Sequence, residues 1–194
     1  MALLGGPLGQ LAAWIEHARS SGEPEPDAMT LATSTRDGHP SARIVLCRGV
    51  DERGVRFFTN YESPKGRELG DNPRAALVFY WAKLGRQVRL EGSVSRLPAA
   101  ESDAYFQARP RGHRLQAHAS PQSQPIASLE VVERKMVEVT AQFEGHEVPR
   151  PGYWGGYLVS PTAIEFFTLG ADRVHERIRH DRIGSTWTES RLAP

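Results

Sequence analysis

One stretch constrains the fold more than any other: Arg43 to Arg67, RIVLCRGVDERGVRFFTNYESPKGR. Ile44, Val45, Leu46 and Cys47 form an apolar run of strand length with Arg43 and Arg48 at its ends. Gly49 to Gly54 is turn chemistry, and Val55 to Asn60 is a second β-rich run. Two such runs this close predict a hairpin. Ser63 and Pro64 then read as an N-cap and first helical residue. Lys65 and Arg67 fall in the first turn of that helix, where cations oppose the helix dipole. They make sense there if an anion sits on the N-terminus. Arg43, Arg48, Lys65 and Arg67 could then converge on a phosphate; the competing reading is ordinary solvated charge.

The rest of the chain predicts more antiparallel strands with helices between them. Leu8, Leu11, Ala12, Ile15 and Ala18 recur at helical spacing, so residues 7–20 read as an amphipathic helix and residues 20–26 as a linker. Ala28–Ser34 and Ser41–Arg48 read as strands around an Asp37-Gly38 turn. Ala75–Ala82 is an apolar strand. Arg86–Leu97 alternates, with Gln87, Arg89, Glu91 and Ser93 on one face and Val88, Leu90, Gly92 and Val94 on the other. Helices are predicted from Pro98 to about Arg109, from His113 to Ala119 and from Ser128 to Phe143, the last burying Leu129, Val132, Met136, Val139 and Phe143. Tyr153–Ser160, Ala163–Thr168 and a hairpin of Val174–His180 with Trp187–Leu192 close the chain. The expectation is one domain over residues 1–194, with 1–27 an N-terminal helix and linker. It is mainly β (α+β), an antiparallel barrel or sandwich with attached helices. No βαβ alternation and no G-x-G-x-x-G after a strand are present, which argues against a Rossmann nucleotide site.

Composition excludes several function classes. The formal net charge is +1, and basic patches lack aromatic interleaving, so a nucleic-acid partner is not expected. Of the 24 basic residues only Lys65, Lys83 and Lys135 are lysines, leaving 21 arginines, the side chain suited to planar anion contacts. Cys47 is the single cysteine, so no intrachain disulfide forms, and its apolar setting reads as a buried, inert thiol. The opening segment lacks a basic n-region and no apolar run reaches membrane-spanning length, so a cytoplasmic protein without a membrane partner is expected. No Cys/His cluster has metal-ligand spacing, and no G-x-S-x-G elbow occurs.

The motifs RIVLCRG, FTN and SPK, followed by NPRAALVFYW, GRQVRLEG, ESDAYFQARPRG, ASPQSQ, WGGY, RVHERIRH and RLAP, resemble the pyridoxine/pyridoxamine 5′-phosphate oxidase family. The resemblance covers nearly all of the chain from Ala28. It implies an FMN-binding split barrel and a homodimer with two flavin sites at the subunit interface. By that resemblance Arg43, Ile44, Val45 and Leu46 line the flavin. Phe58 and Thr59 match a Tyr-Thr pair, and Lys65 matches the phosphate lysine. Pro64 replaces the arginine that usually precedes that lysine, removing one phosphate cation. Gln87 matches a flavin-contacting glutamine, Gln122 and Ser123 a Gln-Ser pair contributed across the dimer, and Arg177 a further flavin contact. Phe167 stands where the family usually has Trp.

The resemblance also implies a phosphorylated pyridine substrate. Tyr105 and Arg109 match two of its phosphate contacts and, four apart on a predicted helix, share a face. Arg48 replaces a Lys, and His113 replaces a Ser. Arg173 and His175 match the Arg-x-His pair that covers the ring and are assigned to positioning it and aiding loss of the 4′ proton; two apart on a strand, they too share a face. Gln116 and His118 stand where Gly and Trp are common. The implied chemistry is hydride transfer from the substrate's 4′ carbon to flavin N5, then reoxidation by O2 to give hydrogen peroxide. The departures at Arg48, His113, Gln116 and His118 also fit a flavin oxidase of secondary metabolism, like those that complete phenazine biosynthesis. A non-catalytic split barrel binding FMN or pyridoxal phosphate is the third reading.

Overall fold

The computed structural model describes residues 5–194. Met1–Leu4, part of the opening segment read above for a targeting signal, lie outside the described residues.

The chain opens with helix α1 (Gly6–Ser20), which buries Leu8, Leu11, Ile15 and Ala18, the face its spacing predicts. Strands β1 (Ala28–Ser34) and β2 (Pro40–Leu46) form a hairpin, and β3 (Val50–Asp51) and β4 (Gly54–Asn60) follow. Helix α2 (Pro64–Asp71), β5 (Arg74–Trp81) and β6 (Arg86–Arg96) lead to three helices, α3 (Ala99–Ala108), α4 (Arg111–Ala119) and α5 (Leu129–Gln142). The long β7 (Trp154–Thr168), a 3-10 turn (Ala171–Arg173), β8 (Glu176–Ile183) and β9 (Thr186–Arg191) complete the chain.

The strands form one nine-stranded sheet in the order β2-β1-β5-β6-β7-β4-β3, with β8 pairing β7 and β9. Every strand pairing is antiparallel. β7 organises this topology. One edge pairs with β6 along its length, while the other pairs with β4 in its first half and β8 in its second. The switch occurs at Ser160–Thr162, opposite a register shift between Glu91 and Gly92. A Cβ on Gly92 would lie 2.1 Å from the Ser160 carbonyl, so only glycine permits this approach.

Two cores result. The first fills the barrel with Leu11, Met29, Leu31, Phe57, Leu77, Phe79, Trp81, Val88 and Ile164, each at most 2% exposed. Fully burying such a side chain stabilises by about 1.5–3 kcal/mol. Trp14 of α1 closes it, edge-on to Trp81 and Phe166. The second core lies beneath α3–α5, around Phe106, Leu115, Val139, Val148 and Trp154. Phe58 and Tyr105 sit at its margin.

Three expectations are corrected. The Ile44–Cys47 run does not form a hairpin with Val55–Asn60. β2 pairs with β1, and β4 takes the two-residue β3 on one side and β7 on the other. Tyr153–Ser160 and Ala163–Thr168 are one bent strand, because Pro161 sits at the switch point, where a missing N–H is tolerated. Leu129 does not join the buried face of α5: it is 73% exposed, and only Val139 on that helix is fully buried.

Candidate active site

The first cluster grows from the end of β4 into α2. Ser63 caps α2 by accepting from the Gly66 N–H at 3.4 Å, and it donates to the Asn60 carbonyl at 2.7 Å. Pro64 occupies the first helical turn, as predicted. Lys65 Nζ points back over this cap, 3.3 Å from Thr59 Oγ1 and 3.4 Å from Ser63 Oγ. The side chain is buried, and its pKa is pushed below the usual lysine value by that burial and then by the nearby Arg43 charge, which Glu68 partly offsets. Lys65 makes no ion pair among the described residues. Gln122 Oε1 closes the cluster, accepting from Thr59 Oγ1 at 3.3 Å and the Asn60 N–H at 3.2 Å. Ser123 beside it adopts a left-handed φ of 63°.

Arg43 borders this cluster but is already engaged. It donates to Leu31 O, Thr33, Ser41 and, at 3.2 Å, Glu68. Burial alone would raise the Glu68 pKa, but hydrogen bonds from Thr33, Ser41 and Arg43 outweigh it and hold the carboxyl below its usual value. Ile44 is 64% exposed on β2, while Val45 and Leu46 are half-buried. The four cations expected to meet therefore divide. Arg43 and Lys65 are neighbours, Arg48 lies elsewhere beside Arg109, and Arg67 is exposed without a side-chain hydrogen bond among the described residues.

Beside this cluster is an aromatic shelf. Phe58 stacks on Tyr105 with centroids 3.8 Å apart and rings 9° from parallel, and on Trp154 at 5.6 Å. The Arg109 guanidinium lies 4.7 Å from the centre of the Trp154 ring, an attractive cation–π placement. Its Nη1 is buried with no hydrogen-bond partner among the described residues. Burial lowers the Arg109 pKa and the Arg48 charge adds to that, with Tyr105 acting in the opposite direction. A buried guanidinium nitrogen without an acceptor, close to a second arginine, is a ready place for an anion. Arg109 is the C-cap of α3, with extended backbone, rather than a helical residue, so its meeting with Tyr105 comes through Trp154 and not from a common helix face.

Two of the departing residues face solvent: His113 and Gln116 are exposed on α4. His118 turns inward instead, its Nε2 2.8 Å from the Pro149 carbonyl and its ring 5.0 Å from Phe143. It braces α4 against the second core. A cleft of about 850 Å3 between α4 and α5, lined by Arg111, Arg114, Met136, Thr140 and His146, contains none of the candidates.

A second cluster lies at the other end of β7. Gln87, Phe167 and Arg177 are direct cross-strand neighbours on β6, β7 and β8. The Arg177 Nε donates to buried Glu165 at 2.8 Å and its Nη1 to the Ala193 carbonyl at 3.0 Å. The His175 ring packs 5.0 Å from Phe167, and its Nδ1 accepts from the Gly170 N–H at 3.3 Å. Arg173 ends the 3-10 turn with φ 63°, and His175 precedes β8, so the pair is not on a strand and the alternation argument does not apply. A tight left-handed turn at Asp172–Arg173 presents them instead.

Thr59 sits opposite Gly155, whereas Gln87 sits opposite Phe167. Twelve residues of β7 separate those positions, about 40 Å if the strand were straight. Even with the bend at Ser160–Thr162, the clusters occupy opposite ends of the strand. The resemblance assigned Gln122 and Ser123 to the far side of a dimer; in this chain Gln122 bonds Thr59 and Asn60 of its own subunit. Sequence reasoning also missed Trp154, the floor of the aromatic shelf, although WGGY was a visible motif. Buried Glu165 and half-buried Glu68, the partners of Arg177 and Arg43, gave no local signal.

Comparison with known proteins supplies the family. A family model described as pyridoxamine 5′-phosphate oxidase matches residues 15–143, and one described as the pyridoxine 5′-phosphate oxidase C-terminal dimerisation region matches residues 154–194. Pyridoxine/pyridoxamine 5′-phosphate oxidases of Rubrobacter xylanophilus and Salinibacter ruber are 52% and 51% identical, over 97% of this chain and 87% and 89% of theirs. The crystal structure of PhzG from Burkholderia lata in complex with tetrahydrophenazine-1-carboxylic acid matches with TM-score 0.92 and 34% identity, covering 97% of this chain and 92% of that one. A pyridoxamine 5′-phosphate oxidase-related, FMN binding protein from Nostoc punctiforme, 19% identical with TM-score 0.78 over 98% of this chain and 99% of its own, shares the split-barrel fold. The sequence, the nine-stranded antiparallel sheet and these matches agree: the chain belongs to the pyridoxamine 5′-phosphate oxidase family of FMN-dependent oxidoreductases.

Proposed function

We propose that this chain is an FMN-dependent oxidase that converts pyridoxine or pyridoxamine 5′-phosphate to pyridoxal 5′-phosphate, acting as a homodimer with two flavin sites at the subunit interface. The observation that carries the reading is the division of the candidate residues between the two ends of β7. A two-fold dimer can bring one cluster of each protomer together, twice. The match of residues 154–194 to a dimerisation region supports the same arrangement.

The residues present fit the cofactor. Lys65, buried over a capped helix start without a carboxylate partner, is a cation awaiting an anion, and Arg43, Thr59 and Gln122 surround it. Gln87, Phe167 and Arg177 of the other protomer would complete the flavin contacts. FMN, when bound, supplies hydride acceptance from the substrate's 4′ carbon and electron transfer to O2, giving hydrogen peroxide. Arg48 and Arg109 hold the substrate phosphate, with Tyr105 and Trp154 fixing Arg109 beside it. Arg173 and His175, brought from the partner subunit, cover the pyridine ring. The Gly170 N–H occupies His175 Nδ1, so the neutral ring carries its proton on Nε2 and offers the substrate a donor.

The likeness to PhzG favours a second reading, a flavin oxidase of secondary metabolism, and His113, exposed on α4 where the family has Ser, is its motive. The inward packing of His118 removes one of the residues on which that reading leaned. The test is anaerobic addition of pyridoxine 5′-phosphate and pyridoxamine 5′-phosphate to the FMN-loaded protein. Bleaching of the flavin that reverses in air, with hydrogen peroxide formed, is expected. A yellow protein that neither compound bleaches overturns the assignment of substrate.

A further inference from the structure

We propose that Glu165 is a positioning residue of the flavin site: it aims the Arg177 guanidinium, and the Ala193 carbonyl fixes the same group at a second point. Both act through Arg177, and the inference rests on the flavin reading above.

Alternation on β7 puts Ile164 and Phe166 into the barrel core and Glu165 on the opposite face with Phe167's neighbours. A carboxylate on an outer sheet face is ordinarily solvated, yet Glu165 is 4% exposed. Arginines cover it. Its direct cross-strand neighbours are Arg89 on β6 and Arg179 on β8. Arg179 is committed elsewhere, to Asp181 at 2.7 Å and Glu91 at 3.6 Å. Arg89 Nη1 stands 3.8 Å from Oε2, an ion pair without a hydrogen bond. The short contact runs diagonally, from Arg177 Nε to Oε1 at 2.8 Å.

Arg177 is thus held at Nε by a buried charge and at Nη1 by a main-chain carbonyl, 3.0 Å away. Two anchors on one planar group fix both its position and its plane. The tail that supplies the carbonyl is itself anchored, since Leu192 N–H donates to Arg177 O at 2.9 Å. Nη2 has no partner among the described residues. It is the nitrogen left for a ligand, and the Gln87–Phe167–Arg177 row places it in the half-site that the partner's Lys65 cluster would face. The pair also raises the Arg177 pKa through its contact with Glu165, consistent with a guanidinium locked in its charged, donating form.

The test is a double-mutant cycle on FMN affinity, read by quenching of flavin fluorescence in the intact protein. Glu165→Gln and Arg177→Gln should each weaken FMN about tenfold, and the double variant should be no weaker than Arg177→Gln alone. If Glu165 merely supported the sheet, its substitution would weaken FMN equally in both backgrounds; that result, or unchanged affinity in Glu165→Gln, overturns the proposal. Should Glu165→Gln fail to fold, a chain ended after Leu192 removes the Ala193 carbonyl from an exposed tail and keeps the Leu192–Arg177 bond. It should loosen FMN several-fold with wild-type Arg177 and not at all with Arg177→Gln. Unchanged affinity in that truncated chain would likewise overturn the two-anchor arrangement. Wild-type protein that takes up no FMN would overturn this assignment together with the flavin reading.

Discussion

Lys65→Met should stabilise the ligand-free protein while crippling cofactor binding. Lys65 is 9% exposed, its pKa is lowered by burial, and it forms no ion pair among the described residues. A buried charge in that state is a cost to the empty fold. Methionine keeps most of the apolar stem and removes the ammonium. Nor does its loss strand other groups: Ser63 Oγ still donates to Asn60 O and accepts from Gly66 N, and Thr59 Oγ1 still donates to Gln122. The two bonds given up are long, 3.3 and 3.4 Å. The balance should favour methionine by about 1 kcal/mol, the low end for replacing buried ionic groups with apolar ones. For a chain of this length that is a rise in Tm of about 2–4 °C. Against FMN the sign reverses, because a charge-assisted bond to phosphate contributes about 1.5–3 kcal/mol, or about 10- to 150-fold in Kd. Thermal melts of the apo proteins at matched concentration, with FMN titrations beside them, read both effects. An apo variant that melts several degrees below wild type would refute the argument, since Lys65 would then be holding the fold rather than waiting for a ligand.

Other outcomes follow from the same geometry. Raising pH toward the ordinary lysine value should weaken FMN earlier than an unperturbed lysine would, because the lowered pKa of Lys65 costs it the proton sooner; Lys65→Met should lose that dependence. Over the same window the ligand-free protein should become more stable, since its unfolded chain binds the extra proton. Arg109→Ala should raise KM for pyridoxine 5′-phosphate at least tenfold and leave FMN Kd nearly unchanged, as its orphaned Nη1 serves the substrate side; equal losses would count against the division of roles. Arg109→Ala and His175→Ala chains, assayed at substrate well below KM, where each is nearly inactive, should recover about a quarter of wild-type activity when unfolded and refolded together, because half the dimers are mixed and each of those has one intact site. No recovery would place both residues in a site made by one subunit. Gly54→Ala should lower stability by about 2 kcal/mol or more, since its φ is 146° and a Cβ would meet the Val159 carbonyl at 2.0 Å; calorimetry checks it, and an unchanged melt would refute the close packing of β4 on β7.

How far the chain could be read without its structure depends on the range of the forces at each place. α2 was legible because capping is local: Ser63, Pro64 and Gly66 satisfy one another within a single turn. β6 was legible because one face is core and the other is not, and Val88, Leu90 and Val94 are buried as alternation requires. The Arg43–Asn60 hairpin was misread because strand pairing is decided by distant partners. β1 precedes this stretch and β7 lies about a hundred residues beyond it, and proximity in sequence carries no information about either. Pro161 likewise reads as a break until Gly92, on another strand, is seen making room for the bend.

The site obeys the same division. The resemblance was drawn residue by residue, with departures at Arg48, Phe58, Pro64, His113 and Phe167, but the grouping of these residues is a property of the sheet. Thr59 and Lys65 are six apart and form a cluster that a sequence can suggest. Gln122 joins them only because the segment after α4 returns to the end of β4. Glu165 reaches Arg177 diagonally, past the arginine that simple register would have chosen. A strand bent in its middle then sets the Lys65 cluster at one end and Gln87, Phe167, Arg177 and His175 at the other. If the two halves complete one site across the proposed dimer, dimer stability and cofactor affinity are linked, and each should rise with the other.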